Sequence, residues 1–129
     1  MQKAIYYLAI SVLVAHELDA MTHSEWRLLF GFRDLEDLVA SKLFVAGHVP
    51  LLFVVLWFSH HVNPKIADWT KTGVSAFLVV HTLMHFALSG VPEYDFNGLL
   101  SRSLIFASGA LAGVVLLSRW RGRESNPPT

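Results

Sequence analysis

The sequence predicts an all-α protein, an integral membrane four-helix bundle running up-down-up-down. Three observations predict it. Charged residues make up only 16% of the 129-residue chain and hydrophobic ones 53%, against about 25% charged in soluble domains. The charges are clustered, leaving four long stretches without any. Four such stretches in so short a chain leave no solvent-facing surface for a soluble fold.

Taken in order, Lys3 and Glu17 enclose 13 uncharged residues, Lys42 and Lys65 enclose 22, Lys71 and Glu93 enclose 21, and Arg102 and Arg119 enclose 16. A helix needs about 20 residues to cross ~30 Å of hydrocarbon. The expected spans are about 3–22, 40–60, 72–90 and 99–120, together forming one domain over 1–120. Helix 1 could pass for a secretory signal, with a cleavage site at Leu13-Val14-Ala15. The helical pattern continues through His16-Glu17-Leu18-Asp19-Ala20, so an uncleaved helix is expected, running on amphipathically toward Phe30. Trp26 and Arg27 suit a headgroup region. Asp34 resembles the N-cap of helix 2, Pro50 interrupts that helix, and Asn63-Pro64 ends it. Gly90 and Pro92 close helix 3. The polar tail 121–129 is expected to be disordered.

Lys3, Lys65, Lys71, Arg119, Arg121 and Arg123 fall on one side, and Arg27, Arg33, Lys42 and Arg102 on the other. Six against four predicts both termini in the cytoplasm, with the protein in the cytoplasmic (inner) membrane. With no cysteine there is no disulfide framework and no thiolate metal site. A formal net charge of zero implies no nucleic-acid partner; the bilayer is the partner.

The chemistry lies in the histidines, seven in a very apolar chain. His60 and His61 read as interfacial. The others compare in depth, because successive helices alternate in direction. Measured from the outer surface, His16 and His85 lie ~7 Å down, His48 ~9 Å and His81 ~13 Å. Three helices thus bring imidazoles to one level in the outer half of the bilayer. His16, Asp19 and His23 share a sector of roughly 60° on helix 1. His81 and His85 are vertical neighbours in a His-x-x-x-His pair, a common way to give a metal two nitrogen ligands. The expected metal ligands are His16, Asp19, His23, His48, His81 and His85. Glu17 and Glu25 are candidate acid/base groups. Buried ionisable groups in membranes are functional by default, although Asp19 could instead pair with Arg102 or Arg27, and His23 could simply be solvated. The expected cavity opens outward, is polar, and is walled by helices 1 to 3 and closed by helix 4 at Ser101, Arg102 and Ser103.

Gly109 and Gly113 form a Gly-x-x-x-Gly spacing. It suits a homo-oligomer contact, but close packing inside one bundle is the favoured reading. Phe53, Trp57 and Phe58 are expected to meet lipid.

The run His16-Glu17-Leu18-Asp19-Ala20, then Glu25-Trp26-Arg27, a His in helix 2 and His-x-x-x-His in helix 3 together resemble a bacterial family. It comprises small four-helix membrane proteins of unknown function and is named for a His-x-x-Glu-Glu motif. Asp19-Ala20 stands where Glu-Glu is expected, and the resemblance runs to about Ser118. It implies a membrane location and a metal site.

The leading expectation is a metal-binding membrane protein and possible metalloenzyme acting on a lipid-like or membrane-partitioned substrate. Zinc, iron, manganese and copper all suit His/carboxylate ligands. Two alternatives stay open. One is a bis-His haem b electron carrier using His48 with His81 or His85. The other is a proton-coupled transporter or binding protein working as an oligomer.

Overall fold

A computed structural model describes residues 2–124. It contains α1 (Gln2–Thr22), a 3-10 turn (Glu25–Leu28), α2 (Asp37–Ser59), α3 (Pro64–Leu88) and α4 (Leu99–Glu124), with no strand among the described residues. All four α-helices are long and apolar enough to span a membrane. This is the construction of a multi-pass membrane protein, and the all-α bundle is as the charge-free runs predict.

Four boundaries differ from expectation. α1 stops at Thr22, where Ser24 takes a left-handed conformation (φ 53°, ψ 45°) and turns the chain. The Thr22 hydroxyl donates to the Asp19 carbonyl at 2.8 Å, occupying a helix-end acceptor. α2 is capped by Glu36 rather than Asp34. α3 begins at Pro64, well before residue 72. The Asn63 side chain accepts from the Lys65 amide at 2.9 Å, and proline fits the first helical position, where no N–H is needed. α4 continues through Glu124, and residues 125–129 of the expected tail lie outside the described residues.

α4 packs along both α1 and α3, while α2 sits at the periphery. In the most apolar window of α4, 33% of residues are buried, and in that of α2 only 11%. Large apolar side chains such as Phe53, Trp57, Leu83 and Phe86 point outward, which suits lipid and would be costly in water. The α3–α4 contact is close because Gly109 has no side chain. A Cβ there would overlap the Thr82 hydroxyl and come within 2.8 Å of Thr82 Cβ. The Thr82 hydroxyl in turn donates to the Ile105 carbonyl at 2.9 Å. Gly109 is therefore used inside the bundle, whereas a Cβ at Gly113 would meet open space.

α2 is tied to α1 at both ends. At the end where α1 begins, Tyr6 shares a hydrogen bond with Ser59 (2.7 Å) and Tyr7 with His60 Nε2 (2.8 Å). Nearer the opposite end His48 meets Glu17 at 2.8 Å. Tyr6→Phe removes the buried tie and leaves Ser59 unpaired. Thermal denaturation should show a loss of about 1 kcal/mol, with the Glu17–His48 end unaffected.

Candidate metal centre

Four buried side chains from three elements converge near the end of the bundle where α1 and α3 finish. They are His16 of α1, Glu25 of the 3-10 turn, and His81 and His85 of α3. One donor atom from each lies within 4.8 Å of all the others. Exposure is 0% for His16, 2% for Glu25, 6% for His81 and 1% for His85. His16 Nε2 lies 3.1 Å from His81 Nε2 and 3.5 Å from Glu25 Oε2. Glu25 Oε1 lies 3.4 Å from His85 Nε2 and 3.8 Å from His81 Nε2. Donors bonded at about 2.0–2.1 Å to a tetrahedral ion stand roughly 3.3 Å apart, so the spacing matches a single small cation.

The cluster leaves polar atoms unsatisfied. Glu25 Oε2 and His85 Nε2 are buried without a hydrogen-bond partner. Each such atom costs about 1–3 kcal/mol, and a cation held among the four side chains would satisfy both. Burial alone would push the Glu25 carboxyl up. His85 first, then His16 and His81, outweigh it and hold Glu25 below the usual carboxylate range, in the anionic form a metal needs.

Two local devices build the site. The i,i+4 spacing sets His81 and His85 on one face of α3, their rings edge to face with centroids 4.7 Å apart. The left-handed Ser24 folds the 3-10 turn back beneath α1 and brings Glu25 inward. That turn is held by Asp37, which accepts from Trp26 Nε1 (2.8 Å) and from Arg27 Nε (3.0 Å). Phe96, fully buried in the α3–α4 connection, lies against His16, His23 and His85 with ring centroids 5.7, 5.1 and 4.9 Å away. Neither Phe96 nor the role of Asp37 was visible in the sequence. Asp37→Ala should loosen the turn and weaken metal binding several-fold, less than loss of a ligand would; a metal titration checks this.

The remaining expected ligands lie elsewhere. Asp19 and His23 approach each other at 3.6 Å, and His23 Nδ1 is 2.8 Å from the Asp19 carbonyl. Asp19 pairs with neither arginine: Arg27 binds Asp37 at 2.9 Å, and Arg102 donates to Asn97 at 3.0 Å. His48 Nε2 meets Glu17 Oε2 at 2.8 Å. Its Nδ1 lies 2.7 Å from the Phe44 carbonyl, which can only accept, so Nδ1 carries a proton.

Between α1, α2 and α3 lies a cavity of about 590 Å³. Its walls are apolar, including Ile10, Leu13, Leu51, Val55, Val74 and Phe77, and its ionisable groups are Glu17, Glu25, His48 and His81. The polar cavity expected within helices 1 to 3, closed by helix 4, is therefore an apolar one. α4 contributes no wall, Arg102 being exposed and Ser101 buried away from it.

Fold and site together define a class: a four-span membrane-type helical bundle with a buried His₃Glu cluster that could hold a metal ion. Over residues 2–122 the chain matches the model of DUF6713, a family of unknown function, and it belongs to that family. Nothing in the match supports the likeness to the His-x-x-Glu-Glu proteins. No curated protein and no solved structure matches the chain.

Proposed function

We propose that this protein is a metal-binding membrane protein of the inner membrane, with both termini cytoplasmic. His16, Glu25, His81 and His85 would bind one divalent transition metal. The observation that carries this reading is the convergence of four buried donors from three elements, three of them residues with unsatisfied atoms. Three imidazoles and a carboxylate without thiolate suit zinc, iron, manganese or copper. A single ion fits better than haem. Haem would need His48 opposite His81 or His85, and both His48 ring nitrogens are engaged, Nε2 by Glu17 at 2.8 Å and Nδ1 by the Phe44 carbonyl at 2.7 Å. Two of the donor residues, Glu25 and His81, also line the apolar cavity. The metal would therefore sit in its wall, where a membrane-partitioned substrate could reach it and be polarised.

Elemental analysis of the purified protein tests this. About one divalent metal per chain is expected. His81→Ala combined with His85→Ala should abolish it, while His48→Ala should retain it. A metal-free wild type, or equal metal in the double variant, counts against the proposal.

A further inference from the structure

The cavity has a direction that the metal reading does not use. Along α2 its lining runs from Leu43 to Val55, about 18 Å at the helical rise, and along α3 from Gly73 to Met84, about 16 Å. His48 and His81 mark the level of the polar groups. Inward of them the walls are wholly apolar for roughly 10–12 Å, down to Val55, Val74 and Gly73. At about 590 Å³ the volume lies within the 300–1,000 Å³ typical of a site for one small molecule.

Two glycines support the idea of a space kept open. Gly47 of α2 and Gly73 of α3 both line the cavity, and a Cβ on either would meet nothing within 4 Å. Glycine is unfavourable inside a helix by about 1 kcal/mol relative to alanine, so two of them facing one void indicate room for a guest rather than for packing. The two ties between α1 and α2, Tyr6–Ser59 below and Glu17–His48 above, hold α2 away from α1 across this gap.

The geometry points to a binding site for a single-chain amphiphile, a hydrocarbon tail with a small oxygen-bearing head. The tail lies inward between Leu51, Val55, Val74 and Phe77. The head sits at the level of His48 and His81. His48 uses Nδ1 on the Phe44 carbonyl and Nε2 on Glu17, so the second Glu17 oxygen is left to accept, and a hydroxyl or a protonated carboxyl head finds a partner there. The tail site stands on the cavity alone. Contact of the head with a metal rests on the metal reading proposed above.

The test uses the full chain in phosphatidylcholine nanodiscs, with dodecanoic acid carrying a diazirine near its tail end as the probe. Labelling sites are mapped by mass spectrometry, and metal content is measured on the same samples. Saturable labelling at Val55 and Val74 is expected. An excess of dodecanoic acid or dodecanol should suppress it, and dodecane at the same concentration should be at least tenfold weaker. Gly73→Leu, which fills the inner end, should reduce labelling at least tenfold with metal content unchanged; Gly47→Leu is the second plug if the first does not fold. His48→Ala should raise the half-saturating concentration about tenfold.

Diffuse, unsaturable labelling of lipid-facing residues such as Phe53 and Val80, equal in wild type and plugged variants, overturns the proposal. Equal competition by dodecane overturns the head-group part. Saturable labelling in a metal-free protein would sink the metal reading and leave the cavity site standing. A metal-loaded protein with only diffuse labelling would do the reverse.

Discussion

Glu25→Gln should lower metal affinity by at least about 100-fold while leaving all three imidazoles in place. Partners one step removed from a metal already cost 10–100-fold, and Glu25 is argued to be a ligand itself. The substitution keeps the size of the side chain and removes only its charge. Glu25 stands within 3.4–3.8 Å of all three histidines, so the neutral amide also takes away the anion that offsets a dication in a buried place. Competition titration against a chelating dye measures the loss. An unchanged affinity would mean that the carboxylate is a bystander to an all-imidazole site. Glu17→Gln, applied in parallel, should leave metal affinity within a few-fold, because Glu17 is bonded to His48 outside the cluster.

The second large effect concerns the bundle itself. Gly109→Val should destabilise the protein by about 1–3 kcal/mol, the usual range for forcing extra atoms into a close-packed contact. The added side chain meets Thr82 at its Cβ as well as its hydroxyl, so rotating the threonine does not relieve the overlap. α3 must move from α4, and the Thr82 bond to the Ile105 carbonyl is strained or lost. Since α3 carries His81 and His85, metal affinity should fall with stability. Gly113→Val is the control. It faces open space and should change the melting temperature little. If Gly113→Val proves the more damaging, the close approach of α3 and α4 at Gly109 is misplaced, and an interface through Gly113 becomes the better account.

Much of this was legible in the sequence, for identifiable reasons. The four helices follow from the runs between Lys3 and Glu17, Lys42 and Lys65, Lys71 and Glu93, and Arg102 and Arg119, because hydrocarbon tolerates few charges. His16, His81 and His85 could be brought together by depth alone, since helical rise fixes how far each lies from its helix end. Depth does not fix direction. His48 lies at a similar level, yet α2 stands apart from α1, and its imidazole meets Glu17 instead of the cluster. Glu25 stood out in the sequence only as an acid/base candidate and not as a ligand, for a different reason. A continuous amphipathic helix through Trp26 would carry it away, and only the left-handed Ser24 brings it back. Serine seldom adopts that conformation, so no local signal announces the turn. The early start of α3 did have a signal in Asn63-Pro64, a cap followed by an N1 proline, which reads equally as the end of the preceding helix.

The central claim is that three imidazoles and one carboxylate surround a single ion. X-ray absorption at the metal edge of the purified, metal-loaded protein tests it most directly. The expected spectrum shows a first shell of nitrogen and oxygen at about 2.0–2.1 Å, with the outer-shell scattering of three imidazoles falling to two in His85→Ala. A spectrum with one imidazole or none, or one indifferent to His85→Ala, would contradict it.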